Sequence, residues 1–221
     1  MQFIYSKESG CDLLCLDTKE YSHIFKVRRV KNGETLFFRN LSDDVLYRYK
    51  LIKIDKKKAV LEFVDSKVLK IEAKKALHVG WCMVDPKTIE KTLPFLNELG
   101  VCKISFVYCE FSQKNFKIDM GRLRRILINS SQQCGRSSLM QIEILKNLNE
   151  FLTLYPESKI IDFSQNSMKK EDAFASFLVG CEGGFSKNER EEMNKKNVLG
   201  IDNNMILRSE TALLYVSVLN S

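Results

Sequence analysis

The sequence has no hydrophobic run long enough to cross a membrane. A spanning helix needs roughly 20 consecutive apolar residues, whereas the 221 residues here are 44% hydrophobic and 29% charged, with the two kinds interleaved. The N-terminal segment MQFIYSKESG also lacks the apolar core of a secretory signal. We therefore expect a cytoplasmic protein without a membrane segment.

Paired cysteines and clustered histidines are also missing. The seven cysteines are scattered and form no C-x-x-C pair, and the chain has only two histidines. A disulfide framework or a structural zinc site needs closer, paired ligands. We therefore expect reduced thiols and no metal site.

Three common catalytic or nucleotide-binding motifs are absent. The sequence contains neither the dinucleotide fingerprint G-x-G-x-x-G nor the P-loop G-x-x-x-x-G-K-[ST]. A Rossmann NAD site and a nucleotide triphosphatase are therefore disfavoured. The G-x-S-x-G nucleophile elbow is missing as well, which disfavours a hydrolase of that type.

Cationic side chains are in excess, with a net charge of +7 and an isoelectric point near 9.0. A positive excess favours an anionic partner, nucleic acid first. The cations concentrate in HIFKVRRVKNGE (23–34), in RYKLIKIDKKKAV (48–60) and in a predicted helix near residue 122. A solvated charged face is the alternative for each run. The candidate nucleic-acid contacts are His23, Lys26, Arg28, Arg29, Lys31, Arg122 and Arg125.

The first 72 residues have the pattern of short β-strands. The segments DLLCLD, TLFFRN, VLYRYKLIKID and AVLEFVD are short apolar or alternating runs separated by polar turns. Several short strands at close spacing predict a small β-barrel or sandwich over 1–72.

Strands and helices alternate over 73–221. LHVGWCMV, VCKISFVYC, SKIIDF, FASFLVGC and VLGI are strand candidates, and helices are predicted after Asp85-Pro86, over about 119–134, around 147–155, after Ser186 and over SETALLYVSVL. Pro94 should kink the first helix or start a new one. This alternation predicts an α/β domain built on a parallel sheet.

Two glycine-containing segments stand at the ends of predicted strands. They are LVGCEGG (178–184) and VLGIDNNMILRSETA (198–212). Ligands of open α/β sheets bind where strands end at their carboxyl edge, and glycine lets backbone approach a ligand closely. A tight strand-to-helix turn without a ligand is the alternative for CEGG.

These segments, with three others in the same order, resemble the RsmE family of ribosomal RNA methyltransferases. LVGCEGGFSKNE resembles the family's [IL]-G-P-E-G-G-[FL]-[ST]-x-x-E, and LGIDNNMILRSETA resembles L-G-x-x-I-L-R-x-E-T-A. HIFKVRRVKNGE, NELGV (97–101) and QQCGR (132–136) are similar to further family segments. Cys181 departs from the pattern, since the family usually has proline there.

The resemblance implies a SPOUT-type parallel sheet with a C-terminal trefoil knot, preceded by a small PUA-like β-barrel that binds RNA. It implies a homodimer that methylates N3 of a uridine in 16S ribosomal RNA, free or in the small subunit, with S-adenosyl-L-methionine as cofactor. Leu213, Val216 and Leu219 of the last helix would suit a dimer surface, and core packing is the alternative.

The resemblance also assigns site residues. The cofactor would lie against Leu178, Val179, Gly180, Glu182, Gly183, Leu199, Gly200, Ile206, Leu207 and Ser209. Arg136 and Arg208 are candidates for stabilising negative charge on the uracil or a phosphate, and Glu210 is a candidate base. Two other functions remain open, namely a SPOUT methyltransferase acting on transfer RNA and a non-catalytic RNA-binding or ribosome-assembly factor.

Overall fold

The computed structural model describes residues 2–16, 33–55, 58–169 and 172–221. The chain divides into two compact units, Met1–Glu72 with Ile128–Leu139, and Ala73–Leu127 with Met140–Ser221. Assigning RNA binding to 1–72 and methyl transfer to 73–221 stays a prediction.

The first unit contains one curled five-stranded sheet. Its strands are β1 (Ile4–Tyr5), β2 (Leu13–Leu16), β3 (Thr35–Arg39), β4 (Val45–Asp55) and β5 (Lys58–Val68), in the order β1-β3-β4-β5-β2. All pairs are antiparallel except β1 with β3. The register of β4 on β5 shifts twice, and such bulges bend a strand and increase its twist. The predicted small β-barrel is thus found as a PUA-like half-barrel.

Alternating side chains build the core of this sheet, because successive residues of a strand face opposite sides. Leu14 and Leu16 of β2 and Phe38 of β3 are buried, whereas Leu13 and Phe37, each directly before a buried residue, are exposed. The same alternation was the signal that predicted these strands.

The second unit is built on a six-stranded parallel sheet. The strands are β6 (His78–Cys82), β7 (Lys103–Val107), β8 (Gln141–Leu145), β9 (Lys159–Ile161), β10 (Ser176–Val179) and β11 (Val198–Leu199), in the order β11-β9-β10-β6-β7-β8. The described helices are α1 (Pro86–Glu98), α2 (Met120–Cys134), α3 (Leu148–Leu154), α4 (Lys187–Glu192) and α5 (Ser209–Asn220), with a 3-10 turn at Lys195–Asn197. The predicted α/β class is confirmed, and the trefoil knot stays a prediction.

Helix α1 begins and ends where the sequence predicts. The Asp85 side chain accepts a hydrogen bond from the Lys87 N–H at 3.3 Å, and Pro86 is the first helical residue. After the helix, Gly100 adopts a left-handed φ of +83°, which glycine permits without strain. Pro94 lies inside this single helix, so the prediction that it could start a new helix is wrong.

Helix α5 packs into the core of the second unit through two of its three predicted dimer residues. Leu213 and Val216 are completely buried in the single chain, so core packing is the correct interpretation for both. Tyr215 and Val218 are the large side chains that α5 exposes, at 40% and 57%.

Cys82 and Cys109 form a disulfide with a Cα–Cα distance of 5.8 Å. The prediction that all cysteines are reduced thiols is therefore wrong for this pair. Cys82 ends β6 and Cys109 follows the neighbouring strand β7, so the parallel sheet brings together residues that are 27 positions apart. Sequence spacing alone cannot show such proximity.

Among the described helices, none has the length and apolar character that a membrane crossing requires.

Candidate functional site

A cavity of about 670 Å³ opens at the carboxyl edge of β9, β10 and β11. Its size lies within the roughly 300–1,000 Å³ of small-molecule sites. Three segments of the second unit line it, namely the loop after β9, the turn after β10 and the segment between β11 and α5. The lining residues are Ile161–Ser164, Val179–Glu182, Gly184, Phe185, Gly200, Ile201, Asn203–Ser209 and Ala212.

The turn after β10 is a tight backbone reversal. The Gly184 N–H donates to the Cys181 carbonyl at 2.9 Å, and Gly184 has a left-handed φ of +67°. A Cβ atom on Gly180 would lie 3.1 Å from the Cα of Gly184, so the two sides of the turn approach closely. CEGG is therefore both a tight turn and a wall of the cavity.

Cys181 is buried within this turn, where the related family usually has proline. Its thiol donates to the Gly184 carbonyl at 3.6 Å, and burial raises the pKa of the thiol. The neutral thiol, through this contact with the Gly184 carbonyl, helps to hold the backbone reversal after β10.

A capping box anchors the turn to the next helix. The Glu189 N–H donates to the Ser186 hydroxyl at 3.2 Å, and the Glu189 carboxylate accepts the Ser186 N–H at 2.9 Å. This carboxylate also accepts the N–H of Glu110, in the loop after β7, at 2.8 Å. The predicted capping box is confirmed, and its buried glutamate also links two loops at the sheet edge.

Gly200 lets the segment after β11 pass against the loop after β9. The Gly200 N–H donates to the Asn166 carbonyl at 2.9 Å, and its carbonyl accepts the Met168 N–H at 2.8 Å. A Cβ atom at this position would lie far inside contact distance of the Ser164 carbonyl oxygen and 3.2 Å from its carbon. Only glycine allows this approach, which forms one wall of the cavity.

Most of the predicted cofactor residues are brought together here. Seven of them line the cavity, namely Val179, Gly180, Glu182, Gly200, Ile206, Leu207 and Ser209. Leu178 and Leu199 are instead buried in the sheet, and a Cβ on Gly183 would meet the Phe111 side chain at 3.1–3.4 Å. The cofactor role of each residue stays a prediction.

The three predicted catalytic residues have different positions. Arg208 is exposed and lines the cavity at the start of α5, and Glu210 is half-buried in the first turn of that helix. Arg136 is buried in the segment Ile128–Leu139, which belongs to the first unit. Arg208 is thus the candidate that the structure places at the cavity, and all three roles stay predictions.

The predicted RNA contacts divide into two groups. His23, Lys26, Arg28, Arg29 and Lys31 lie outside the described residues. Arg122 and Arg125 are exposed on α2, and the Arg122 guanidinium is paired with the Glu90 carboxylate at 2.6 Å.

Sequence reasoning missed an apolar rim around the cavity. Phe163, Met205 and Ile206 line the cavity while exposing 75%, 74% and 82% of their surface, and only Ile206 was among the predicted residues. Large exposed apolar side chains that cluster in this way are a mark of a binding site. Phe163 is the last residue of the predicted strand SKIIDF, and this position at a strand end is the one sequence signal that could have indicated it.

The lining fits a ligand of nucleoside size. Its walls are mainly apolar, and backbone groups of the glycine turn stand beside the Glu182 carboxylate, which can accept hydrogen bonds from ribose hydroxyls. The Asp162 carboxylate is less available to accept hydrogen bonds from a ligand, because the Arg190 guanidinium donates to both its oxygens at 2.6 and 3.1 Å.

A PUA-like half-barrel, a parallel sheet and a nucleoside-sized cavity at the sheet's carboxyl edge are the features that the resemblance to RNA methyltransferases implies. A family model described as an RNA methyltransferase domain matches residues 72–220, and one described as an RNA methyltransferase PUA domain matches residues 16–64. The chain is also 39% identical to ribosomal RNA small subunit methyltransferase E of Helicobacter pylori, over 98% of both chains. It belongs to the ribosomal RNA small subunit methyltransferase E family, as predicted.

One further relative carries the same name, and one solved structure shares the fold. The enzyme of the same name from Aquifex aeolicus is 29% identical over 98% of this chain and 97% of its own. The crystal structure of the enzyme of that name from Neisseria gonorrhoeae, bound to S-adenosyl methionine, superposes with a TM-score of 0.81. It covers 98% of this chain and 95% of its own at 21% identity, and so supports the fold.

Proposed function

We propose that the chain transfers a methyl group from S-adenosyl-L-methionine to N3 of a specific uridine in 16S ribosomal RNA. The observation that carries this proposal is the glycine-walled cavity at the sheet edge, with Arg208 among its lining residues. Family membership supplies the reaction class, and the resemblance to the RsmE family supplies the uridine and its N3 atom. Because the proposed substrate is ribosomal RNA, we also propose that the protein acts in the cytoplasm.

The cavity would hold the cofactor between the turn after β10 and the segment that precedes α5. Ile206 and Leu207 offer apolar contact for an adenine ring, and the Glu182 carboxylate can accept hydrogen bonds from ribose hydroxyls. When bound, S-adenosyl-L-methionine supplies an electrophilic methyl group on a positively charged sulfur. The protein's main contribution is then to position the acceptor nitrogen in line with that group.

The residues at the start of α5 would prepare the uridine. Its N3 carries a proton that must leave as the nitrogen–methyl bond forms, and Glu210 is the candidate that accepts it. Arg208 would hold the negative charge that develops on the uracil oxygens, with Arg136 as the second candidate for this role. Because the N3 edge is used in base pairing, the uridine would enter unpaired or extruded from a helix.

The cationic side chains would bind the RNA backbone. Arg122 and Arg125 of α2, with the basic run that contains Lys26 and Arg29, would contact phosphates. Such contacts make affinity fall as salt rises, because binding releases counterions.

Changing Arg208 to alanine should lower the methylation rate about 100-fold, the usual cost of removing a group that stabilises transition-state charge. Purified protein, S-adenosyl-L-methionine and undermethylated small subunits would be combined, and N3-methyluridine counted by mass spectrometry. S-adenosylhomocysteine should still bind, because the change removes only a side chain at the cavity mouth. Lys187→Ala, which removes an exposed cation of α4, should keep the full rate. An unchanged rate in R208A would exclude Arg208 from catalysis.

We also propose that the protein acts as a homodimer, as the resemblance implies. Tyr215 and Val218 leave an apolar stripe exposed on α5, and Phe95 of α1, the helix that packs against α5, is 53% exposed. Light scattering during gel filtration should give twice the chain mass of 25.6 kDa, and Val218→Lys should shift the protein toward the monomer. A wild-type protein that elutes with the mass of one chain would contradict the proposal.

A further inference from the structure

Trp81, the single tryptophan of the chain, is joined by hydrogen bonds to two walls of the cavity. It lies in β6, is completely buried and does not line the cavity. Its indole Nε1–H donates to the Ser209 hydroxyl at 2.7 Å. The Ser209 hydroxyl in turn donates to the Gly180 carbonyl.

The direction of this hydrogen-bond chain follows from the chemistry of the three groups. An indole nitrogen is only a donor, and a hydroxyl has one proton to donate. Since the Ser209 oxygen accepts from Trp81, its proton is directed to the Gly180 carbonyl, which is only an acceptor. Ser209 is buried at 6% exposure, so bulk water does not replace either bond.

The position of this hydrogen-bond chain matters because Gly180 and Ser209 lie on different segments of the cavity wall. Gly180 begins the turn after β10, and Ser209 is the first residue of α5, next to Arg208. Arg208 itself makes no side-chain cap for this helix. The bonds through Ser209 therefore fix the spacing between the glycine turn and the start of α5, with the central strand β6 as the rigid support.

We propose that Trp81 is a positioning residue of the cofactor site, which acts through its indole N–H on Ser209 and thereby on Gly180. The inference rests on the proposed function, since it treats the cavity as the cofactor site. It adds a residue that makes no contact with the ligand and that none of the motifs of the sequence includes.

The most direct test removes the N–H and keeps the shape of the ring. Benzothienylalanine has the shape of tryptophan, with a sulfur atom in place of the indole N–H. Because the chain has one tryptophan, expression in a tryptophan auxotroph supplied with this amino acid changes the protein only at Trp81. Calorimetric titration with S-adenosylhomocysteine should then show an affinity about tenfold lower, the usual effect of losing one buried hydrogen bond. The rate at saturating cofactor should fall by less than about threefold, because the reacting groups are unchanged.

A double-mutant cycle tests whether Trp81 acts through Ser209. Ser209→Ala breaks both bonds, so adding Trp81→Phe to it should weaken S-adenosylhomocysteine binding no further, whereas Trp81→Phe alone should weaken it. Ser209→Thr keeps the hydroxyl and should retain the dependence on Trp81. Phe151→Leu is the matched control, since it truncates another fully buried aromatic residue and should lower thermal stability while leaving affinity unchanged.

The outcomes separate this inference from the proposed function. If the natural protein and the protein with the isostere at position 81 bound S-adenosylhomocysteine equally tightly, the role of Trp81 would be overturned and the proposed function would stand. Additive effects in the cycle would also overturn it. Failure of the natural protein to bind S-adenosylhomocysteine would overturn both.

Discussion

Replacing Gly200 by alanine is expected to lower the affinity for S-adenosylhomocysteine about 10- to 100-fold, because overpacking a tight contact costs about 1–3 kcal/mol. The new methyl group would overlap the Ser164 carbonyl oxygen, which is backbone and cannot turn away. Either the segment after β11 or the loop after β9 must then move. The Gly200 hydrogen bonds to Asn166 and Met168 would be strained at the same time.

Calorimetric titration and thermal unfolding of G200A would be compared with those of Gly121→Ala. Gly121 lies in α2, and a Cβ there would meet no atom closer than 3.3 Å. This control should bind the ligand like the natural protein, because Gly121 lies in α2 and does not line the cavity. Full affinity in G200A would mean that the cavity wall at Gly200 is not part of the cofactor site.

Protonation of His78 alone is expected to lower the free energy of unfolding by about 3 kcal/mol as the pH drops from 7 to 4. His78 is buried at the start of β6. Its Nε2 lies 2.8 Å from the Ser105 hydroxyl, which donates to the Glu143 carboxylate at 2.6 Å. Ser105 has no second proton, so Nε2 carries the proton. The other nitrogen, Nδ1, accepts from the Ser176 hydroxyl at 3.1 Å.

The partner of Nδ1 is a neutral hydroxyl and not a carboxylate, so no negative charge lies directly against a second ring proton. Burial, with the positive charge of Lys103 adding to it, lowers the pKa of His78 from 6.5 to about 4. In the unfolded chain the imidazole takes up a proton below about pH 6.5, whereas the folded protein resists it until about pH 4. The unfolded state therefore binds more protons in this window, and the stability present above pH 6.5 is lost as the pH falls.

The measurement is the free energy of unfolding by urea at several pH values, for the natural protein and for His78→Gln. Their difference should shrink by about 3 kcal/mol between pH 7 and pH 4, because the carboxylates titrate in both proteins. Phe151→Leu, whose ring centroid lies 5.8 Å from that of His78, should instead differ from the natural protein by a constant amount. A difference between H78Q and the natural protein that does not change with pH would contradict the assigned pKa.

Local patterns were enough to predict most elements of the fold. Asp85-Pro86 and the Ser186–Glu189 box started helices where expected, because caps are decided by neighbours in sequence. Strand β8, Gln141–Leu145, was missed although Ile142 and Ile144 alternate with polar residues. It is an edge strand with one fully buried residue, so its apolar signal is weak.

The sequence predicted the glycines that line the candidate site, but not the buried residues that hold the surrounding strands and loops in place. The resemblance pointed to Gly180 and Gly200, and both line the cavity. Trp81, 128 residues from Ser209, and the Cys82–Cys109 disulfide depend on the order of strands in the sheet, which no local pattern encodes. The His78 network has the same origin, since β6, β7, β8 and β10 each contribute one of its groups.

The proposed methylation of uridine N3 in 16S ribosomal RNA would be measured by mass spectrometry of nucleosides, with natural cells compared to cells that lack the gene. N3-methyluridine should disappear in the deletion strain and return when the natural gene is restored, but not with G200A. If N3-methyluridine persisted without the gene, or a different methylated nucleoside vanished, the proposed substrate atom would be wrong.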